Sequence, residues 1–261
     1  MLASEDIAID ADLLFATVRE AGELGRELRR KGVRQWSKPD GSEVTEADIR
    51  LDTLLKERLT AARPTYGWLS EETPDGPARL SHDIIWIADP IDGTRAFVKG
   101  ETEWCVGGAL VYRGRPVAAA VYRPMVDEFY TAIAGRGAFR DGAQLTVPDS
   151  ESLEGAQIAG NRKALGALSD TGIAGDPSGN LPLLLRLAFV AAGRIDGAVS
   201  IGNRKDWDLA AGELLVLEAG GQVSDASGQG FVYNRPEPWQ QGLVAAGAKR
   251  HAALIQHLRS P

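Results

Sequence analysis

The segment 86–94, which reads WIADPIDGT, constrains the fold of this chain more than any other part of the sequence. An apolar run ends in two aspartates, Asp89 and Asp92, which are separated by a Pro-Ile pair, and Gly93 and Thr94 follow at once. Carboxylates at the end of a strand suit hard cations such as Mg²⁺. Backbone N–H groups at the start of a helix suit a phosphate. Both features within a few residues indicate metal-assisted phosphate chemistry at the edge of a sheet.

The composition is that of an ordinary globular protein with room for a well-buried core. The 261 residues are 44% hydrophobic and 25% charged, enough for one large domain or two lobes. The net charge of −7 provides no basic field for nucleic acid or an anionic membrane, so we expect neither partner. The single Cys excludes an internal disulfide framework and indicates a reducing compartment. The acidic N-terminus is unlike a signal peptide, and the apolar stretch 181–193 is too short to cross a bilayer, which predicts a cytoplasmic location.

Several common catalytic arrangements are missing from the sequence. The three histidines, His82, His251 and His257, are too few and too scattered to favour a His-based triad or a zinc site. A thiol phosphatase would need an arginine six positions after Cys105, where Val111 stands. The glycine-rich signatures of nucleotide and dinucleotide binding do not occur.

The first half of the chain predicts helices followed by a mainly antiparallel sheet. Apolar residues at three- and four-residue steps indicate helices over 11–30 and 46–62, the second of which is ended by Pro64. The remaining predictions are a turn at 38–42, short strands at 68–72 and 84–88, and strand pairs within 107–122 and 128–139.

From about residue 151 strands and helices alternate. We expect strands at 157–159, 198–201, 222–224 and 242–245, helices at 181–192, 207–219 and 248–258, and a Gly-rich loop at 172–180. A turn sequence at 147–150 suits a boundary. The prediction is an N-terminal α+β lobe over 1–150, with most of the candidate metal ligands, and a C-terminal α/β lobe over 151–261, within one compact unit.

Asp89 and Asp92 have two interpretations. Asp-Pro and Asp-Gly are common turn dipeptides, so both residues suit a surface turn. A calcium loop is excluded, because the alternating acidic pattern is absent and Gly100 stands at the twelfth position. The apolar strand that precedes them favours a metal site at a sheet edge instead.

The other candidate residues are equally open when each is taken alone. Glu71 and Glu72 suit a solvated loop as well as a ligand pair. Asp208 and Asp48 suit first-turn acids of two helices, which stabilise a helix start without any further role. Lys38 is by default a surface lysine. Only the combination of these residues distinguishes the interpretations.

Five sequence blocks resemble, in the same order, the motifs of the inositol monophosphatase family. The segments WIADPIDGTRAFVKG (86–100) and WDLAAGELLVLEAGG (207–221) are similar to its two signatures. The segment LSEET (69–73) is similar to its glutamate motif and VTEAD (44–48) to its threonine-aspartate motif, while 187–197 matches a further family segment. Two long signatures in the family's order make a specific match.

The resemblance implies a mixed α/β (α+β) fold, the layered α-β-α-β-α sandwich of the inositol monophosphatase and fructose-1,6-bisphosphatase type. It also implies a lithium-sensitive phosphomonoesterase with two or three Mg²⁺ ions per site. By motif position Asp89 would bridge two metals. Glu71 and the Ile91 carbonyl would join it on the first metal, and Asp92 and Asp208 on the second.

The implied reaction is hydrolysis by a metal-activated water, without a covalent intermediate. Thr94 would orient that water and pass its proton toward Asp48, with Glu71 on the metal side. The N–H groups of Gly93 and Thr94 would hold phosphate oxygens. Lys38, Ser200 and Arg204 complete the candidate substrate contacts.

The substrate stays open at this point. The resemblance favours inositol monophosphate, with 3′-phosphoadenosine 5′-phosphate or histidinol phosphate as alternatives. Inositol-specific members usually place a Glu where Ser200 stands, which argues against inositol. Arg204 and Lys205 suit either a second phosphate or a solvated loop. Leu181-Pro182 replaces a Gly-Ser pair that lies beside the substrate in relatives.

Two other classes of function remain. A non-catalytic relative that only binds metal or phosphate would keep the same ligands. A nucleic-acid-binding protein is disfavoured, because the chain is acidic and lacks basic-aromatic clusters. The family also implies a homodimer that acts on a small phosphorylated metabolite.

Overall fold

The computed structural model describes residues 4–39, 41–175 and 181–259. Within these ranges the helices are α1 (Ser4–Lys31), α2 (Glu46–Ala62), α3 (Thr94–Lys99), α4 (Arg162–Gly166), α5 (Leu183–Ala191), α6 (Ala210–Glu218) and α7 (Ala248–Arg259). The strands are β1 (Gln35–Ser37), β2 (Glu43–Thr45), β3 (Gly67–Ser70), β4 (Ile84–Asp92), β5 (Cys105–Tyr112), β6 (Arg115–Arg123), β7 (Glu128–Ile133), β8 (Gly137–Arg140), β9 (Ala143–Gln144), β10 (Ile158–Gly160), β11 (Gly197–Lys205), β12 (Gly221–Ser224) and β13 (Trp239–Gly247). Two short 3-10 helices lie at Pro77–Ser81 and Ser169–Thr171.

The strands β3 to β9 form one sheet in which neighbours in sequence are neighbours in space. The pair β3–β4 is parallel and the other pairs are antiparallel, which confirms the mainly antiparallel sheet. Along β4, Ile85 and Ile87 join one apolar core, whereas Trp86 and Ala88 join the other. Because side chains alternate between the faces of a strand, both faces of this sheet are apolar and need cover.

Helices provide that cover in layers. The helices α1 and α2 pack on one face of the first sheet. The helices α5 and α6 lie between this sheet and a second one, whose strand order is β10-β11-β13-β12. The helices α4 and α7 cover the far side of the second sheet. The layers confirm the predicted α-β-α-β-α sandwich, while the division into lobes at residue 150 stays a prediction.

The helix pair α5–α6 approaches closely at Gly212. A Cβ atom at this position would lie 2.4 Å from Cδ1 of Leu187, so a larger residue would force the helices apart. In the part of the chain that the structure describes, no helix combines the length and the apolar character needed to cross a membrane.

Several element boundaries differ from the predictions. The helix α1 begins at Ser4 rather than at residue 11. Buried Asp10 holds this early part of the helix against the segment that connects α2 to β3. Its carboxylate accepts hydrogen bonds from Arg63 Nε at 2.6 Å and from the Tyr66 hydroxyl at 2.7 Å. These are contacts across more than fifty residues, which an apolar periodicity does not reveal. The helix α4, capped by Asn161, was not predicted at all.

The elements near the acidic residues also differ. The strand β4 continues to Asp92 instead of ending at residue 88, and α6 begins at Ala210 instead of residue 207. Arg204 and Lys205, interpreted as a loop, lie in β11 and pair with β13. The predicted turn at 38–42 and loop at 172–180 each lie partly outside the described residues.

Candidate active site

The strand β4 carries two acidic residues to its carboxyl end. Asp89 pairs with Gly107 of β5 and Asp92 with Cys105, and the register of the ladder shifts between these two pairs. The Asp89 side chain is buried, and its Oδ1 atom has no hydrogen-bond partner among the described residues. A buried carboxylate oxygen without a partner is costly. This atom therefore points to a ligand that the chain does not supply.

Glu71 reaches the same edge from the neighbouring strand. Because β3 runs parallel to β4, the residues that follow the two strands meet at one edge of the sheet. Lys38 Nζ lies 3.1 Å from Glu71 Oε1 and 2.7 Å from Glu72 Oε1. Burial raises the pKa of Glu72 to about 7. Lys38 therefore contacts a candidate metal ligand, and it does not itself line the cleft described below.

Asp208 comes from the second half of the chain, in the turn before α6. Its Oδ2 atom accepts a hydrogen bond from the Lys205 backbone N–H at 3.2 Å. Asp92 Oδ2 accepts one from the Leu184 N–H, at the start of α5, at 2.6 Å. Burial raises the pKa of Asp208 to about 7, and burial together with the Asp208 charge raises the pKa of Asp92 to about 8. The first turns of α5 and α6 therefore lie close to the carboxyl end of β4.

The acidic residues repel one another. Burial raises the pKa of Asp89 well above its usual range, and the charges of Glu71, Asp92, Asp208 and Asp48 add to that rise. Like charges in one buried site need protons or cations to balance them.

The donor set fits a hard divalent cation. All the candidate ligands are oxygen atoms, the type that Mg²⁺ prefers, and no described residue forms a hydrogen bond with Asp89 Oδ1. As the side chains stand, no three His, Cys, Asp or Glu residues within the described ranges surround one point closely enough to hold an ion. Glu71 is paired with Lys38 and Asp92 with the Leu184 N–H in this arrangement.

Thr94 and Asp48 form a hydrogen-bonded pair beside these carboxylates. The Thr94 hydroxyl lies 3.1 Å from Asp48 Oδ1 and 3.2 Å from the Ile91 carbonyl, and its single proton can serve one of them at a time. Asp48 Oδ2 accepts hydrogen bonds from the Thr45 N–H at 2.8 Å and the Thr45 hydroxyl at 2.6 Å. This capping box at the start of α2 holds Asp48 so that Oδ1 faces Thr94. Burial raises the pKa of Asp48.

A cleft of about 580 Å³ opens over this region. Its lining includes the candidate ligands and the candidate phosphate contacts: Glu71, Asp89, Ile91, Asp92, Gly93, Thr94 and Asp208. Residues separated by more than a hundred positions therefore share one concave surface, as the motif combination predicts.

The sequence profile of the inositol monophosphatase family matches residues 8–260. The chain belongs to the inositol monophosphatase family. An inositol-1-monophosphatase of Mesorhizobium japonicum is 36% identical, with 95% of this chain and 97% of that protein aligned. A protein of Pseudomonas aeruginosa described as the Nus factor SuhB is 35% identical, with 90% of each chain aligned. The crystal structure of the extragenic suppressor protein SuhB from Bartonella henselae matches with a TM-score of 0.83 at 27% identity, covering 95% of this chain and 98% of that one.

Membership in this family confirms the resemblance read from the five sequence blocks. It also makes phosphoric monoester hydrolysis the activity class of the chain.

Three residues predicted as substrate contacts, Lys38, Ser200 and Arg204, lie outside the cleft lining. Ser200 is buried, and its hydroxyl accepts a hydrogen bond from Arg204 Nε at 2.7 Å. Lys205 Nζ lies 5.4 Å from the Trp207 ring centre and 5.2 Å from that of Trp239. The positive charges of Arg204 and Lys205 lower the pKa of Asp208 and so offset part of the rise that burial causes. Their contact with a substrate stays a prediction.

Three basic residues of the cleft wall were not predicted. Arg95 and Lys99 extend from α3, and Arg186 extends from α5, where its Nε donates to the Leu181 carbonyl at 2.7 Å. The signal for the first two was their spacing of four residues directly after Thr94, which places them on one side of a helix.

A buried polar network that was also missed holds the turn before Asp208. The carboxylate of Asp206, a fully buried residue, accepts hydrogen bonds from Gln240 Nε2 at 2.8 Å and from the Asn234 N–H at 3.3 Å. Arg79, from the connection that follows Glu71, donates to Asn234 Oδ1 at 2.9 Å. The Asp206 carbonyl accepts the first N–H groups of α6. This network therefore connects the segment that follows Glu71 to the turn that carries Asp208.

Proposed function

We propose that the chain is a Mg²⁺-dependent phosphomonoesterase that acts on a small phosphorylated metabolite, with inositol 1-phosphate as the first substrate to test. The main observation for this reaction is the buried carboxylate cluster beside the Thr94–Asp48 pair, in which Asp89 Oδ1 has no hydrogen-bond partner among the described residues. Two relatives that are 35% and 36% identical are named inositol-1-monophosphatase, which supports the choice of first substrate.

Five groups would hold the metal ions. They are the carboxylates of Glu71, Asp89, Asp92 and Asp208 and the backbone carbonyl of Ile91, all of which line the cleft. When bound, the cations supply a Lewis acid that lowers the pKa of water and balances the charge of the phosphate. The four carboxylates in turn balance the charge of the cations. Bound cations would remove the repulsion that adds to burial in raising the pKa of Asp89, Asp92 and Asp208.

Thr94 and Asp48 would orient the attacking water and accept its proton. The Thr94 hydroxyl is 3.1 Å from Asp48 Oδ1, while the other oxygen of Asp48 is occupied by Thr45. Burial raises the pKa of Asp48, which makes it a better proton acceptor than a solvated aspartate.

The N–H groups of Gly93 and Thr94 would hold phosphate oxygens. Gly93 has a φ of 101°, in the left-handed region that favours glycine. A Cβ atom at Gly93 would also lie 2.9 Å from the Glu103 carbonyl. A larger residue would therefore move the backbone that presents these N–H groups.

The test is phosphate release with Mg²⁺, with and without Li⁺. The substrates are inositol 1-phosphate, 3′-phosphoadenosine 5′-phosphate, fructose 1,6-bisphosphate and histidinol phosphate. We expect Asp89→Asn to retain less than about a tenth of wild-type turnover and to lose the rise in melting temperature that Mg²⁺ causes. Asp12→Asn, on the exposed side of α1, is the matched control and should keep both.

Two outcomes would contradict the proposal. Turnover by Asp89→Asn above about a tenth of wild type would remove Asp89 from its assigned role. Mg²⁺ binding without phosphate release from any of the four substrates would show a non-catalytic binding relative instead.

The remaining parts of the proposal concern inhibition, oligomeric state, location and partners. We propose inhibition by Li⁺, a homodimer, a cytoplasmic location and no nucleic-acid partner. Light scattering of the purified protein gives the oligomeric state, and a salt-dependent DNA or RNA binding assay tests the last point.

A further inference from the structure

We infer that Arg95 and Lys99 form a subsite for a second anionic group of the substrate. The enzyme would then prefer phosphomonoesters that carry a second phosphate over matched compounds that lack it. This inference rests on the proposed function, because the subsite is defined relative to an ester phosphate held beside Thr94.

The placement of the two side chains comes first. Arg95 and Lys99 are separated by four residues in α3, so they lie on one side of the helix. Both are exposed and both line the cleft that contains Asp89 and Asp92. Arg95 directly follows Thr94. Lys99 lies five residues after Thr94, which is about 7 to 8 Å along the helix axis at about 1.5 Å per residue. The second anionic group therefore belongs several atoms away from the ester phosphate.

The two cations have no partner within the part of the chain that the structure describes. Neither forms a side-chain hydrogen bond or an ion pair there. Glu43 and Glu101 also line the cleft, yet neither is paired with Arg95 or Lys99. In contrast, Lys38 is bound by two carboxylates at the adjoining edge.

The side chains of Arg95 and Lys99 favour an anionic group of the substrate over a neutral hydroxyl. A guanidinium and an ammonium group donate hydrogen bonds and carry charge, and phosphate or carboxylate oxygens match both properties. Two divalent cations would balance the carboxylates of Glu71, Asp89, Asp92 and Asp208 and would serve the ester phosphate. Arg95 and Lys99 are then left for another part of the substrate.

Other positions proposed for a second phosphate are less suitable. Arg204 donates a hydrogen bond to the buried Ser200 hydroxyl, and Lys205 Nζ lies 5.4 and 5.2 Å from the ring centres of Trp207 and Trp239. Neither residue lines the cleft. The geometry therefore favours α3 over β11 for this contact.

The experiment compares matched substrate pairs. Adenosine 3′,5′-bisphosphate is compared with adenosine 3′-monophosphate, and fructose 1,6-bisphosphate with fructose 1-phosphate. In the wild type we expect kcat/KM to be at least about 10-fold higher for the doubly phosphorylated member of at least one pair. In the double variant Arg95→Gln, Lys99→Met this ratio should fall to about one, and the loss should lie in KM for the bisphosphate.

A matched control removes the same two charges elsewhere. Arg162→Gln, Lys163→Met changes two exposed residues of α4 and should keep the wild-type ratio. Calorimetry with Ca²⁺ in place of Mg²⁺ measures binding of the same bisphosphate without relying on turnover. The affinity should fall in the α3 variant by about the same factor as the kinetic ratio.

The outcomes separate this inference from the proposed function. Phosphate release without any preference for the bisphosphates would overturn the inference and leave the function intact. A preference for the bisphosphate that persists in Arg95→Gln, Lys99→Met would also overturn the inference, because other residues would then bind the second phosphate. Absence of phosphate release from every substrate would refute the proposed function itself.

Discussion

The buried carboxyl group of Glu213 should make the stability of the protein depend on pH. Glu213 lies on α6 and is 2% exposed, and its Oε2 atom has no hydrogen-bond partner among the described residues. The nearby Tyr233 hydroxyl is also buried without one. Burial raises the pKa of Glu213 from 4.5 to about 7, against a smaller opposite effect of Tyr233.

The sign and the size of the effect follow from proton binding. Between pH 4.5 and pH 7 the folded chain keeps the Glu213 proton that the unfolded chain has released. The contribution of Glu213 to the free energy of unfolding is therefore most favourable below pH 4.5, and it is lost as the pH rises from there through the folded pKa. At about 1.4 kcal/mol per pKa unit, the full loss above pH 7 is on the order of 3 kcal/mol.

The assay is urea unfolding of the wild type and Glu213→Gln between pH 5 and pH 9. EDTA is present throughout, so that metal binding does not contribute. The stability of the variant relative to the wild type should increase by about 3 kcal/mol across this range, because glutamine cannot ionise. Glu57→Gln, on the exposed face of α2, is the control and should show a flat difference. A flat difference for Glu213→Gln would refute the reasoning.

Two further predictions concern the site and the core. Thr94→Ala should lose about 10²-fold in rate while Mg²⁺ still raises the melting temperature; loss of that rise would assign Thr94 to metal binding instead. Gly212→Ala should destabilise the protein by about 1 to 3 kcal/mol in urea unfolding, because the new Cβ would lie 2.4 Å from Leu187 Cδ1. Gly166→Ala, where no atom lies within 4 Å of the added Cβ, should be neutral or stabilising by up to about 1 kcal/mol, and equal losses in both variants would contradict this explanation.

Local patterns were sufficient where a short stretch of chain contains its own signals. The helix α2 matches the predicted range 46–62, because a Thr45–Asp48 capping box starts it and Pro64 follows its end. The strand β4 was predicted from its apolar run, since a strand buried on both faces reads as continuous hydrophobic sequence. The family motifs likewise identified Asp89, Asp92, Thr94 and Asp208 as residues of the same cleft.

Local patterns failed where distant contacts decide the conformation. The early start of α1 depends on Asp10 with Arg63 and Tyr66, and the extension of β11 depends on its pairing with β13. The buried position of Ser200 and its bond to Arg204 follow from that same pairing. No signal within a few residues reports such contacts.

The sequence by itself predicted most helices and strands, and its motifs indicated the family, the layered fold and the acidic residues that line the cleft. The helices and strands rest on periodicity and caps, which act over a few residues at a time, whereas the layered fold and the cleft residues rest on the resemblance of motifs spread along the chain. Only the tertiary structure showed that Asp89 Oδ1 is buried without a hydrogen-bond partner among the described residues. It also placed Arg95 and Lys99 on the cleft wall. The physical reason is that burial, charge repulsion and the direction of an exposed side chain depend on which distant elements pack together.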